Sequence, residues 1–233
     1  SIRQFQNKQI KPDLFQDLIK AGQAAASSNF FQAATIIRVT DAKKRAELAS
    51  LANNQTYVET AAEFLVFCAD MNRAASCCDL HGAEANTGFT EQFIIATVDA
   101  ALVAQNIVVA SESAGLGICY IGALRNNPAE VSKVLDLPHD TYPVFGLCLG
   151  WPDQDPEVKP RLPIDVVLQE NSYGNAADGA NLGDYDEAVR GYYANRSSNQ
   201  KSMSWSEQMS GMLSKESRPH MLDFLKMRGF LQK

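Results

Sequence analysis

The sequence predicts a layered domain of the α+β or α/β class, in which helices alternate with short buried strands. Apolar, β-branched runs bounded by Gly, Pro or Asn recur about five times and are separated by longer segments of helical periodicity. Of the 233 residues, 45% are hydrophobic and 21% are charged, which is ordinary for a globular chain that buries a substantial core. A single domain is the simplest organisation for this length.

The segment from Gly115 to Trp151 is central to this prediction. Within it, Ile118–Leu124 and Pro143–Leu149 are predicted as buried strands, and Pro128–Leu135 as a helix that begins at a proline. Glycines stand beside both strands and fit two interpretations. Either the backbone approaches a flat ligand closely, or small residues are needed for packing, which is the more common case.

The N-terminal part of the chain contains further predicted elements. They are a helix over Pro12–Ala26, a strand over Ala33–Thr40, a helix from the N-cap Asp41 to about Ala52, a helix over Tyr57–Ala62 and a strand over Glu63–Asp70. Residues 71–88 show no clear period and are predicted as a loop with some helix.

Phe89–Ser113 is the longest helical pattern, and it is apolar on every side. Such a helix lies either at the centre of a domain or at an interface with a second subunit. Asp99, Gln105 and Asn106 interrupt its apolar surface, which favours the interface and argues against a membrane span.

The C-terminal part begins with closely spaced prolines that hold residues 156–163 extended. Lys159 and Arg161 alternate with these prolines, so their side chains are expected on the same side. The pair fits a solvated loop and a rigid set of donors for a phosphate or a ring edge equally well. The remaining predicted elements are a strand over Ile164–Glu170, a loop over Asn171–Gly183, and helices over Asp184–Tyr193, Trp205–Leu213 and Arg218–Arg228.

Composition argues against several classes of function. The net charge is −6 and the chain has no long run of Lys or Arg, which argues against a nucleic-acid-binding surface. The five cysteines are odd in number and form no C-x-x-C motif, so free thiols in a reducing compartment are expected. The three histidines are too scattered to suggest a metal site. No signal peptide opens the sequence, and a cytoplasmic protein is the expectation.

Two polar loops are candidate ligand sites. Ser27, Ser28 and Asn29 form either a plain helix terminus or a set of donors that line a polar ligand. The segment from Asn195 to Lys201 carries two cations and is either a linker or a grip on an anionic ligand. The sequence contains no dinucleotide-binding G-x-G-x-x-G, no P-loop and no nucleophile-elbow motif.

Several ordered motifs resemble those of the oxygen-insensitive NADPH nitroreductases and the related NADPH–flavin oxidoreductases. The resemblance covers nearly the whole chain. It is most specific in Ser1–Arg3, Gly115–Asn127, Phe145–Pro152, Lys159–Pro163, Glu170–Tyr173 and Lys215–Pro219. The family carries a His-Arg pair directly before the serine that corresponds to Ser1, and this sequence has no such pair there.

This resemblance implies an α+β fold with a central mixed, mostly antiparallel sheet wrapped by helices. It also implies an intertwined homodimer with one FMN at each of two interface sites. Residues 1–233 are then expected to be a single nitroreductase domain, with 164–233 as a C-terminal extension that embraces the partner subunit.

The resemblance also assigns site residues. It implies FMN binding by Ser1, Arg3, Ser27, Ser28, Asn29, Gln55, Tyr120, Ile121, Gly122, Ala123, Lys159 and Arg161. Asn29 stands where the family often has Ser, and Ala123 stands where a second Gly is common. The implied ligands of NADPH are Arg196 and Lys201, and Glu91 matches an acidic residue near the substrate pocket. No catalytic side chain or metal is implied, because the flavin supplies the chemistry.

The implied activity is NADPH-dependent, two-electron, ping-pong reduction of small-molecule acceptors such as nitroaromatics, quinones or flavins. Two alternatives stay open at this point. One is a dedicated NADPH–FMN reductase that supplies reduced flavin to a partner monooxygenase. The other is a flavin-binding or purely structural protein without turnover.

Overall fold

The computed structural model describes residues 1–174, 179–196 and 200–233, with the side chains of 179–181 left aside. These residues form two compact units. Unit 1 comprises Ser1–Asp155 and Arg218–Lys233, and unit 2 comprises Pro156–Ser217. Parts of two predicted loops, at 175–178 and 197–199, lie outside the described residues.

Unit 1 is built on an antiparallel sheet of four strands within the described part of the chain, in the order β1-β2-β4-β3. The α+β class is therefore confirmed, and every described strand pairing is antiparallel. The strands are β1 Ala34–Arg38, β2 Glu63–Asp70, β3 Gly117–Ile121 and β4 Thr141–Gly150.

Helices cover both faces of this sheet. The helices of unit 1 are α1 Pro12–Gln23, α2 Ala42–Leu51, α3 Tyr57–Thr60, α4 Asn72–Leu80, α5 Thr90–Ser113, α6 Pro128–Val134 and α10 Met221–Met227. One core cluster, which includes Leu48, Val58 and Ile121, joins α2, α3 and α6 to the sheet. A second cluster, which includes Leu18 and Ile107, joins α1 and α5 to it.

The central strands read as the sequence predicts. β2 is buried along its whole length, because both faces of the sheet are covered. Asp41 accepts a hydrogen bond from the backbone N–H of Lys44 at 2.9 Å, which confirms the predicted N-cap of α2. The strand predicted to run to Leu124 ends at Ile121, and the chain continues as a 3₁₀ turn over Gly122–Asn126.

Helix α5 contacts all four strands of the sheet. It is long enough to cross a membrane, and its most apolar stretch of 18 residues has a mean hydropathy of 1.9. One such helix is also what the core of a globular domain contains, and α5 occupies that position here. Its Asp99 is only 2% exposed and is held by polar groups of the chain itself.

Unit 2 contains α7 Ile164–Val167, α8 Gly179–Asn195 and α9 Trp205–Leu213. The predicted strand over Ile164–Glu170 is wrong. Residues Ile164–Val167 close a helical turn instead, with the Leu168 N–H donating to the Ile164 carbonyl at 2.7 Å. A run of β-branched residues this short fits either structure, and here Pro163, directly before the turn, favours the helix.

Candidate functional site

The N-terminal segment lies along the outer edge of β3. The Ile2 N–H donates to the Ile118 carbonyl at 2.8 Å, and the backbone N–H groups of Arg3 and Gln4 both donate to the Gln154 Oε1. These bonds fix Ser1 and Arg3 at this edge, where both are exposed. Gln154 is a positioning residue that the sequence gave no reason to select, because its partners are about 150 positions away.

Arg3 lies close to Tyr57, whose ring centroid is 6.0 Å from the guanidinium carbon. Burial raises the pKa of the Tyr57 phenol, and a hydrogen bond from Arg3 opposes that rise. Because Tyr57 starts α3 two residues after Gln55, this contact brings two of the predicted flavin residues into one region. Tyr57 itself was read from sequence only as a helix residue.

The loop before Gln55 is fastened to the turn that follows β3. The Asn126 side chain donates to the Asn53 Oδ1 at 3.1 Å, and the Asn127 side chain donates to the Leu51 carbonyl at 3.0 Å. Asn53 and Asn54 both adopt positive φ, which asparagine tolerates better than most residues. The structure therefore joins the loop of Gln55 to the turn that contains Gly122 and Ala123.

The stretch Tyr120–Ala123 divides between core and surface. Ile121 is buried in the core and Ala123 packs against it. Tyr120 is 37% exposed, packs edge-on against Phe145, and donates to the Gln105 Oε1 of α5 at 3.3 Å. A Cβ at Gly122 would lie 3.2 Å from the Arg125 guanidinium, so this position favours glycine.

The strand glycines answer a packing need. A Cβ at Gly117 would lie 2.6 Å from the Ile2 side chain, and one at Gly150 would lie 2.7 Å from the Phe5 ring. These two glycines are paired across β3 and β4. Their small size lets the N-terminal segment lie flat on the sheet, so they serve the site by admitting Ser1 and Arg3.

The polar loop Ser27–Asn29 is organised by Asp99 of α5. The Ser27 hydroxyl donates to the Asp99 carboxylate at 2.6 Å, and the N–H groups of Ser28 and Ala33 donate to the same carboxylate at 3.3 and 2.9 Å. The Ser27 oxygen also accepts from the Gln32 N–H. Ser27 is thus committed to the loop, whereas the Ser28 and Asn29 side chains are exposed.

This loop borders an open recess of about 830 Å³. Asn29, Phe30 and Gln32 adopt positive φ, and Phe30 is 81% exposed. The recess is lined on one side by the loop and on the other by residues of α1, β1, α4 and α5, including Ile19, Thr35, Arg73 and Val103.

The predicted residues of unit 1 therefore occupy two opposite edges of the sheet. Ser27, Ser28 and Asn29 lie at the β1 edge, and Ser1, Arg3 and the Tyr120 strand lie at the β3 edge. Three strand spacings separate these edges, a distance of about 14 Å. One chain does not bring the two groups together.

Helix α5 presents an exposed apolar stripe, which comprises Ile94, Val98, Leu102 and Val109 at 43–58% exposure. Glu91 lies at the head of the same face, at helical spacing from Ile94 and Val98. Tyr120 contacts Gln105 on this face, and Asp99 holds the polar loop from the same helix.

In unit 2, three predicted cations surround one tyrosine. The Lys159 ammonium lies 5.1 Å from the Tyr193 ring centroid, and the charged ends of Arg196 and Lys201 each lie 5.7 Å from it. Hydrogen bonding to Lys159 lowers the pKa of the Tyr193 phenol; burial opposes this, and the charges of all three cations add to it. Tyr193 was not selected from sequence.

Lys159 and Arg161 are both exposed, whereas Pro160 and Leu162 between and after them are half-buried. This alternation agrees with the predicted placement of both cations on one side of the segment. The Arg161 guanidinium donates to the Lys159 carbonyl at 2.8 Å, which orients it along its own backbone.

Comparison with known proteins assigns the class. Residues 1–151 match the model of the nitroreductase family, and residues 159–233 match that of the nitroreductase family, C-terminal domain. The chain belongs to the nitroreductase family.

Individual relatives are similar over their whole length. The NADPH-flavin oxidoreductase of Vibrio harveyi is 48% identical over 236 residues, covering 100% of this chain and 95% of the relative. The oxygen-insensitive NADPH nitroreductase of Salmonella typhimurium is 42% identical, covering 99% and 94%. The solved NADPH:FMN oxidoreductase from Vibrio harveyi complexed with NAD⁺ superposes with a TM-score of 0.92 at 45% identity, covering 100% and 95%.

Proposed function

We propose that this chain is a soluble, cytoplasmic, FMN-dependent NADPH oxidoreductase that reduces small-molecule acceptors such as nitroaromatics, quinones or flavins by two-electron ping-pong hydride transfer. Membership of the nitroreductase family and the activities in its relatives' names support this class. The observation that carries the proposal is the division of the predicted flavin residues into two half-sites on opposite edges of one sheet.

Two half-sites on opposite edges indicate a homodimer. The apolar stripe of α5 lies between the polar loop held by Asp99 and the Tyr120 strand, and pairing this stripe with that of a second copy would cover it. A two-fold relation would then place the β1 edge of one chain opposite the β3 edge of the other. Each dimer would hold two flavins.

The C-terminal extension is proposed to embrace the partner. Unit 2 exposes a set of large apolar side chains, namely Val158, Ile164, Val167, Leu168, Tyr173, Met212 and Leu213. So many exposed apolar groups in one small unit indicate a surface that another chain covers. Of the extension 164–233, the stretch Arg218–Lys233 belongs to unit 1, so the part before it is left for this role.

The residues present fit FMN by the chemistry of their donors. When bound, FMN would accept a hydride from NADPH and pass it to the acceptor. Arg3 and Lys159 would stabilise the negative charge that the reduced ring carries, because both are cations. Arg161 and Ser1 would hold the phosphate through charge-assisted hydrogen bonds.

The protein needs no nucleophile or metal for this reaction, and its residues bind and orient. Ser28, Asn29 and Gln55 would supply polar contacts at the two half-sites. Arg196 and Lys201 would bind the 2′-phosphate of NADPH. An acceptor would occupy the open recess beside the polar loop, which is wide enough to admit different flat molecules.

A dedicated flavin reductase is the second candidate, and the name of the Vibrio harveyi relative favours it. The two functions differ in what accepts the electrons. Under nitrogen, the purified protein should be yellow, and NADPH should bleach it. Re-oxidation by a nitrofuran or quinone faster than exchange of bound for free flavin supports the proposed function, whereas release of reduced FMN supports the alternative. A protein that binds no FMN contradicts both.

A further inference from the structure

The strongest feature that the proposed function does not use is Tyr193. It lies near the C-terminal end of α8, is 5% exposed, and packs in the core of unit 2 with Tyr185 and Val189. Its ring faces three cations, yet it is not itself among the residues assigned to a ligand.

Three cations around one ring repel each other. Each charge is within 6 Å of the same centroid, so their mutual distances are comparable with the Debye length of about 8–10 Å at physiological salt. Attraction to the ring face and the carbonyl end of α8 both offset this repulsion. An arriving phosphate would offset it further, because each cation could donate to it.

We propose that Tyr193 is a positioning residue for the nucleotide: its ring holds Arg196 and Lys201 where they meet the 2′-phosphate of NADPH, and it holds Lys159 beside them. This inference rests on the proposed function and adds the origin of its nucleotide preference. NADPH selectivity then depends on an aromatic side chain that contacts no ligand.

The arrangement separates the two parts of Tyr193. The hydroxyl serves Lys159, and the ring face serves all three cations. Tyr193→Phe keeps the ring and removes the hydroxyl, whereas Tyr193→Leu removes both. Tyr185 offers a matched control, because it is 7% exposed in the same core and its hydroxyl donates to the Pro160 carbonyl at 3.2 Å.

The test measures KM and kcat for NADPH and NADH in the FMN-loaded enzyme. Tyr193→Leu is expected to raise KM for NADPH about tenfold and to change KM for NADH less than about twofold, with kcat retained, since cation–π contacts of this kind stabilise by one to two kilocalories. Tyr193→Phe should keep most of the preference and loosen FMN. Tyr185→Leu should lower the melting temperature without changing the NADPH/NADH ratio.

The double variant Tyr193→Leu/Arg196→Ala completes the test. If Tyr193 acts through Arg196, the double variant is no worse for NADPH than Arg196→Ala alone. Additive losses, or equal losses for both nucleotides and the same effect from Tyr185→Leu, would overturn the positioning role. If Tyr193→Leu does not fold, retained preference in Tyr193→Phe decides for the ring, and lost preference decides against it. An enzyme that takes up no FMN fails the proposed function instead.

Discussion

The Ser27 hydroxyl donates a hydrogen bond of 2.6 Å to the buried carboxylate of Asp99, 72 positions further along the chain. This bond, with two more from backbone N–H groups, fixes the polar loop on α5. The helix that carries the exposed apolar stripe therefore also holds one half-site. In this family member, the proposed dimer contact and the proposed flavin contact depend on the same element.

Asp99→Asn is expected to weaken FMN binding about tenfold and to lower the free energy of unfolding by about 1–3 kcal/mol. The Asp99 Oδ2 accepts from both Ser27 and Ala33, and an amide nitrogen in its place would face the Ala33 N–H with no acceptor. Flavin fluorescence quenching measures the first quantity and urea unfolding the second.

Asp17→Asn serves as the control for this variant, because Asp17 is exposed and pairs only with Lys20. Loss of stability without any change in FMN affinity would show that the polar loop does not meet the flavin.

Gly117→Ala is expected to cost about 1–3 kcal/mol of stability and to weaken FMN binding, because the added methyl group overlaps the Ile2 side chain. The displaced segment carries Ser1 and Arg3. Ile2→Ala in the same chain should restore part of both losses. Chemical unfolding and FMN titration of the three variants measure this.

Gly211→Ala is the matched control for Gly117→Ala. It lies within α9, and no atom lies within 4 Å of its added Cβ. It should gain about 0.5–1 kcal/mol from helix propensity and leave FMN affinity unchanged. An intact FMN affinity in Gly117→Ala would contradict a flavin role for the N-terminal segment.

Leu102→Glu is expected to weaken the dimer at least 100-fold, because it places an unpaired charge in the centre of the α5 stripe, at a cost of about 3 kcal/mol or more. FMN should be lost together with the dimer. Sedimentation velocity over a concentration series reports both, through mass and flavin absorbance. Leu222→Glu is the control, since Leu222 is equally exposed on α10. A dimer that survives Leu102→Glu with its flavin places the interface elsewhere.

Arg196→Ala is expected to raise KM for NADPH strongly and that for NADH little, by the ~1–3 kcal/mol of a charge-assisted hydrogen bond. The guanidinium carbon of Arg196 lies 5.4 Å from the Tyr192 ring centroid and 5.7 Å from that of Tyr193. Steady-state kinetics with both nucleotides decides the assignment, and equal effects on the two rule it out. Arg190→Ala is the control, because Arg190 lies on the same helix and pairs with Glu207.

Much of the fold could be predicted from sequence because its signals are local. The strand Glu63–Asp70 and the helix Trp205–Leu213 have the predicted bounds, and the N-cap Asp41 is present. The errors also have local causes. β3 ends at Ile121 because the chain turns at Gly122, and the run from Ile164 is too short for its β-branched residues to decide between strand and helix.

The positioning residues could not be predicted in the same way. Asp99, Tyr193 and Gln154 act through partners that are close in space and, for Asp99 and Gln154, distant in sequence. Periodicity reports only whether such a residue is buried. The interruption of an apolar helix by Asp99 was visible in the sequence, but its partners on the polar loop were not.

The central claim is that each flavin site takes one half from each of two chains, and a mixed dimer tests it most directly. One differently tagged chain would carry Asp99→Asn and the other Arg3→Ala with Gln55→Ala, and tandem purification would isolate the mixed dimer. The account predicts that this dimer regains one FMN site of wild-type affinity, because one site receives both intact halves. Two weakened sites, each no better than those of the variant homodimers, would contradict it.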